Sequence, residues 1–487
     1  MTFVNRIDEL AALEERWSSN RGEYFVLYGR RRVGKSHLLL HFGETHRQLY
    51  FEATSGSTQD HLEDLSGELA ALTGREIYSQ QSLANWRAAF AAFAELLAEG
   101  PVMIVLDEFQ YIARREPEIG SLLNRFIREH ASNAGLFLCL SGSDVSFFEK
   151  EMGYGSTTYG RRTGSQKLTP FGWSEIEPFL KGWSVEDQIR AWAVFGGIPY
   201  YLDEIVPSAG LDQAILRSVL YPDGLLRDEP RFLLAQESRI RDTDYYMSCL
   251  RAIAGGKTRL NEIALHIGKS RGEEARPFLE TLEEMELIER RYPVTQASGK
   301  KVFYAIGDPF LRFWFRFVAR RESRLHTRSG AERYLNGTVL PELDKFVSED
   351  AFELVCQQWT LEHLADAVDV GRWWGSIRRT ENGELRSRQY EADVAAVDES
   401  GAVIALGSCK WPDQATANHE HPATELTKLE TIRQEIDAPD ARLLFFDRVA
   451  FSPRLKELSR EREDIELVRV KDMRKQGPGE SAQPVGS

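Results

Sequence analysis

The stretch Gly29-Arg30-Arg31-Arg32-Val33-Gly34-Lys35-Ser36 constrains this chain more than any other. It lies between an apolar run, Tyr24 to Tyr28, and a run of helical character that begins at His37, and so fits the strand, G-x-x-x-x-G-K-[ST], helix pattern of a phosphate-binding loop. Each residue type has a chemical reason. Glycines let backbone N–H groups close around phosphate oxygens, Lys35 meets the β/γ-phosphate charge, and the Ser36 hydroxyl is a ligand for Mg2+. A helix that starts here turns its positive end toward the same anion, which brings His37 into the candidate set. A Gly-rich turn can match the spacing by accident, but accident does not supply both flanking elements.

Length and charge bound the rest. With 487 residues the chain has room for about three domains of ordinary size. No charged leader with an apolar core opens it, and no apolar run approaches the ~20 residues that span a bilayer, so the expectation is no membrane partner and a cytoplasmic address. The four cysteines, Cys139, Cys249, Cys356 and Cys409, have neither zinc-site spacing nor disulfide density, and read as small buried hydrophobes. A net charge of −14 repels nucleic acid, so any DNA contact must come from a local basic patch.

Residues 2 to 17 read as a capped amphipathic packing helix. Leu49 to Ala53 reads as a strand, and Gln59 to Thr73 and Leu83 to Leu97 read as helices, an alternation that argues for an α/β fold with a parallel sheet covered on both faces. Val102 to Glu108 is a buried-type strand ending in two carboxylates at the edge where such sheets bind ligands. There Asp107 would hold magnesium through its water shell and Glu108 would polarise the attacking water. A further strand, Leu136 to Leu140, runs into Ser141-Gly142-Ser143-Asp144; either serine suits a γ-phosphate sensor, and Ser143 suits equally a helix cap. After a Gly/Ser/Thr-rich loop comes Tyr159-Gly160-Arg161-Arg162, where Arg161 or Arg162 is positioned to stabilise transition-state charge in its own or a neighbouring subunit.

These residues, GRRRVGKS with its FVNR opening, LDEFQYI, LSGSD and YGRR, together resemble the archaeal-type ATPases, a branch of the AAA+ and STAND nucleoside triphosphatases. The resemblance covers about the first half of the chain. It implies ATP with Mg2+ as cofactors, and a five-stranded sheet in which a sensor strand separates the phosphate-loop and Asp-Glu strands. Gly196-Gly197-Ile198-Pro199-Tyr200-Tyr201 is similar to the Gly-x-Pro signature with which STAND proteins touch the nucleotide from a helical lid, which adds Pro199 to the binding set.

Residues 244 to 306 read as a winged helix-turn-helix: a helix to about Ala254, a second from Thr258 to His266, a third opened by Pro277, then two strands. The third helix is acidic, whereas Arg290, Arg291, Lys300 and Lys301 make the wing basic, so DNA contact through this module competes with a purely structural role. Phe310 to Phe317 reads as an aromatic core helix. The last third resembles the C-terminal domain that accompanies many of these ATPases, similar to restriction-endonuclease-like PD-(D/E)xK folds, on Glu353, Asp393 and Lys410. Ser408 departs from that pattern by standing where such a site has its second acid, which leaves a metal site short of a ligand and two readings: an inherited fold that has lost its nuclease chemistry, or an ATP-gated nucleic-acid-binding protein or nuclease that holds its ion through Asp393 with Glu353 or Glu391. The expected organisation is an ATPase core over 1–170, a helical lid over 171–243, the winged module over 244–308, the nuclease-like α/β domain over 309–475 and a disordered tail over 476–487. Partners beyond ATP, whether DNA, another protein or a second copy of the chain, are not named by the sequence.

Overall fold

In the computed structural model, which describes residues 3–153, 160–237, 240–295, 302–381, 384–412 and 423–474, four apolar runs and one short polar edge segment form a single parallel sheet. Its strands are β1 (Glu23–Tyr28), β2 (Gln48–Glu52), β3 (Val102–Asp107), β4 (Leu136–Gly142) and β5 (Gly164–Lys167), in the order β2-β3-β4-β1-β5. β4 therefore separates β3 from β1, the arrangement expected of a sensor strand. Every residue of β3 and β4 is buried, as a parallel sheet covered on both faces requires. Ser57 and Asp60 start the helix Thr58–Thr73 with a reciprocal capping box, and Asn85 caps Trp86–Glu99. Leu62, Leu65, Phe90 and Phe93 of these helices pack with Ile104, Leu106 and Leu138 of the sheet.

The chain divides into two compact units. Residues Met1–Pro170 together with Ile198–Tyr200 form one, and Phe171–Gly197 together with Tyr201–Ser487 form the other. Gly196 and Gly197 lead into the transferred tripeptide and have no substitute: Gly196 has φ +67°, and a Cβ on Gly197 would lie 1.8 Å from the Phe171 carbonyl oxygen. The lid segment is helical, with Val185–Phe195 capped by Ser184 and a short helix opened by Pro199.

The following module has three helices, Thr243–Ala254, Leu260–His266 and Gly272–Glu284, and an antiparallel pair, β6 (Ile288–Arg291) and β7 (Phe303–Ile306). Pro277 does not open the third helix; it lies inside it. The helix starts at Gly272, whose lack of a side chain lets it close on Leu260 and Asn261, and a proline in the second turn costs that helix one N–H without stopping the turn before it. Lys300 and Lys301 fall outside the described residues, as does the tail from Gln476. Asp308 caps the aromatic helix Pro309–Phe317, which buries Phe310, Phe313, Trp314, Phe315 and Phe317.

The C-terminal sheet has the order β12-β11-β10-β9-β8, with β8 (Asp369–Glu381), β9 (Glu384–Val397), β10 (Val403–Lys410), β11 (Arg442–Asp447) and β12 (Ile465–Arg469). β8, β9 and β10 are antiparallel neighbours, and β10, β11 and β12 are parallel. The period of two divides β11 between both faces. Leu443 and Phe445 pack with Leu426, Leu429 and Ile432 of the helix Ala423–Glu435, whereas the Phe446 ring meets Trp359 of the helix Phe352–His363 at 5.3 Å.

Two ion-pair knots hold the second unit. Asp350 accepts from Arg291 of β6 at 2.6 and 3.0 Å, from Arg372 of β8 at 2.8 Å and from Arg312 of the aromatic helix. The three guanidinium groups outweigh the cost of burial and hold the Asp350 carboxyl well below the usual carboxylate range. In the other knot Arg448, its side chain almost wholly buried, pairs with Glu186 at 2.9 Å and Asp344 at 2.6 Å and lies over the Trp411 ring. Arg190 of the lid helix reaches the same Asp344 at 2.8 Å.

Candidate nucleotide site

The phosphate loop joins β1 to the helix Lys35–Gly43. Gly29 has φ +151° and Gly34 φ +96°, and a Cβ on Gly29 would collide with the Leu168 carbonyl at 2.2 Å, so both glycines are demanded by the path of the backbone. Arg32 also takes a left-handed conformation, φ +68°, a strained choice for a non-glycine residue of the kind that collects at binding sites. The Lys35 ammonium is buried and donates to the Gly29 and Arg30 carbonyls at 2.8 and 3.1 Å, which holds it above the loop. Arg30 is buried, Arg31 donates to the Tyr111 hydroxyl at 3.0 Å, and Val33 is core. His37 sits edge-on to Phe3 at 5.4 Å between ring centroids. Arg6, read from sequence as part of a packing segment and of the FVNR opening, donates to the Val33 carbonyl at 3.1 Å and the Thr169 carbonyl at 2.7 Å, tying the loop from behind.

At the carboxyl edge of the sheet, the Ser36 hydroxyl donates to Asp107 Oδ2 at 2.6 Å. The Tyr50 hydroxyl donates to the same oxygen at 2.6 Å, and the Glu108 N–H to Oδ1 at 2.9 Å. A serine hydroxyl and a carboxylate are hard oxygen donors, the set magnesium takes, and they converge at a helix start with a lysine beside them. The site thus fits a nucleotide carrying magnesium. Glu108 has φ +49°, and its Oε2 accepts from Ser143 Oγ at 2.8 Å and from Gln110 Nε2. Ser143 does not cap the next helix: Asp144 does, accepting from the Phe147 N–H at 3.0 Å, because its carboxylate sits one residue closer to the first turn. Ser141 is fully buried in β4.

Pro199 belongs to the first unit and lies 3.7 Å from where a Cβ of Gly34 would be, and the Tyr200 ring stands 4.3 Å from the Arg32 guanidinium carbon. Tyr159 is outside the described residues. Arg161 and Arg162 are both exposed, and Arg162 donates to the Met152 carbonyl at 3.2 Å.

In the C-terminal domain, Ser408 donates to Glu425 Oε2 at 3.1 Å and the Lys410 ammonium is 3.4 Å from Glu425 Oε1. Glu425, on the helix Ala423–Glu435, was missed from sequence because it lies 15 residues beyond Lys410 with no motif around it. Asp393 Oδ2 accepts the Cys409 N–H at 2.7 Å, and Glu353 pairs with Arg372. Burial pushes Glu353 up to about 8 against the pull of Arg372, with Asp393, Asp350 and Glu391 adding to the rise. Among the described residues no three acidic, His or Cys side chains converge as a metal group.

Residues 3–205 match the model of an ATPase domain found predominantly in Archaea, and residues 314–421 match DUF234, a family of archaeal and bacterial proteins of unknown function. An uncharacterized protein of Methanocaldococcus jannaschii is 29% identical over 416 residues, which span 84% of this chain and 88% of that protein. An uncharacterized ATP-binding protein of the same organism is 52% identical over 42 residues, 9% of this chain and 71% of that protein. Among solved structures, a Walker-type ATPase of Pyrococcus abyssi superposes with a TM-score of 0.50 at 23% identity, over 64% of this chain and 96% of that one. The phosphate loop and the paired carboxylates, at one edge of a parallel sheet, thus lie within the part of the chain that matches the predominantly archaeal ATPase domain, and a match to DUF234 follows it.

Proposed function

We propose that this chain binds ATP with magnesium, hydrolyses it, and passes the nucleotide state to its C-terminal modules through Ile198–Tyr200. The observation that carries the reading is the Ser36–Asp107 hydrogen bond of 2.6 Å beside the buried Lys35, with Glu108 on the next residue. Lys35 exchanges its loop carbonyls for phosphate oxygens, and Ser36 and Asp107 hold the ion. Magnesium, when bound, supplies charge that neutralises the phosphate oxygens. Glu108, released from Ser143 and Gln110, orients the attacking water and accepts its proton, since phosphoryl transfer asks mainly for positioning and charge stabilisation. Coupling is supported by the chain path: Pro199 and Tyr200 count with the phosphate-loop unit, while the helix just before them is locked to Asp344, and through it to Arg448, in the other. ATP turnover of the full chain, with and without DNA, tests the reading; absence of turnover with magnesium under all conditions overturns it.

Of the two arginines, Arg161 is the one proposed to reach a γ-phosphate, because Arg162 is already engaged with the Met152 carbonyl. Arg161→Gln should cut turnover by about 10³-fold at unchanged nucleotide affinity, the range such a charge commands, while Arg162→Gln stays within about twofold. Turnover within twofold in both variants removes the role from this pair.

A second reading, phosphodiester cleavage by the C-terminal domain, is favoured by one observation: Glu425 brings a carboxylate to Ser408 and Lys410, where the strand itself lacks one. The first reading expects no cleavage of linear duplex or single-stranded DNA by the wild type with magnesium or manganese. Cleavage that disappears in both Lys410→Ala and Glu425→Gln would establish the second.

A further inference from the structure

We propose that Tyr50 is a positioning residue for the nucleotide's metal, acting through Asp107. The proposal rests on the reading of Asp107 as the carboxylate that holds magnesium. Asp107 is fully buried, and its three hydrogen bonds come from three different elements: Ser36 at a helix start, Tyr50 in β2, and the Glu108 N–H at the end of β3. An ionised carboxylate offers about four acceptor sites, so three donors lock its plane and leave one site for a water of the metal's shell.

Tyr50 and Ser36 share one oxygen, Oδ2, so the Tyr50 hydroxyl keeps that oxygen fixed while Ser36 turns toward the ion. Packing alone does not account for the residue. Phenylalanine would fill the space of the Tyr50 ring on β2, and what the hydroxyl adds is a donor 2.6 Å from a buried carboxylate. Groups that hold a metal's ligands from behind commonly change metal affinity 10- to 100-fold when removed.

The experiment measures binding of a fluorescent ATP analogue to the full chain, in EDTA and across a magnesium titration, for wild type, Tyr50→Phe and Asp107→Asn. Tyr50→Phe should raise the magnesium concentration for half-maximal effect by about tenfold and leave affinity in EDTA within about twofold of wild type. Asp107→Asn should shift the magnesium midpoint further. An unchanged midpoint in Tyr50→Phe beside a shifted one in Asp107→Asn overturns the role of Tyr50 alone. If neither variant shifts, the assignment of Asp107 falls, and the proposal with it. Equal weakening in EDTA and in magnesium would mark Tyr50 as merely structural, which also overturns the proposal.

Discussion

Lys35→Ala and Glu108→Gln separate binding from turnover. In the proposed reading Lys35 is the loop cation that meets the β/γ-phosphates, and removing it takes away a charge-assisted contact made in both ground and transition states. Nucleotide affinity should fall by at least about a hundredfold, some 2.8 kcal/mol at 1.4 kcal/mol per tenfold. Glu108→Gln keeps the shape and still accepts from Ser143, but cannot take a proton. Its nucleotide affinity should match wild type within about twofold while turnover falls by about 10²- to 10⁴-fold, the usual worth of a general base. Equilibrium binding and single-turnover hydrolysis measured on the same preparations check both. Equal turnover in wild type and Glu108→Gln would remove that carboxylate from the chemistry.

The second large effect is one of stability. Asp350→Asn leaves Arg291, Arg312 and Arg372 facing each other with their shared counter-charge gone, and breaking a buried pair in this way costs about 3–5 kcal/mol. Folded domains rest on roughly 5–15 kcal/mol, so the urea midpoint of the unit containing Asp350 should drop steeply. The pH dependence has a definite sign. A carboxyl held below its unfolded value stabilises fully above that value, about pH 4, and loses the contribution as pH falls further. The stability gap between wild type and Asp350→Asn should therefore be constant from neutral pH to about pH 5 and close on further acidification. A gap that grows on acidification contradicts the assignment.

What the sequence made legible was local. Gly29 to Ser36 and Asp107-Glu108 are motifs whose residues are neighbours in the chain, and the alternation they punctuate argued for a parallel sheet, whereas the place of the strand between them was implied by the resemblance to archaeal-type ATPases. What stayed hidden depends on contacts across elements. Tyr50 is an ordinary aromatic for a strand, and only the pairing of β2 with β3 brings its hydroxyl to Asp107. The edge strand β5 is polar, Gly-Ser-Gln-Lys, and its pairing with β1 has no signature in hydrophobic periodicity. Glu425 arrives from a helix outside any motif. Pro277 was misread because helix-opening is the common role of proline, and here the tight fit of Gly272 against Leu260 sets the start earlier.

The tripeptide Ile198–Tyr200 has a practical meaning for how this molecule can be taken apart. A fragment cut after Pro170 holds the whole parallel sheet yet lacks the proline beside Gly34 and the ring beside Arg32. A fragment cut after Ile205 regains them, but its helix Val185–Phe195 arrives without Asp344, leaving Arg190 stripped of that carboxylate. The complementary fragment beginning at Val206 would keep Asp344 and Arg448 without Glu186. No single scission leaves all of these contacts inside one piece or the other, so each cut exchanges the completeness of one unit for that of its neighbour.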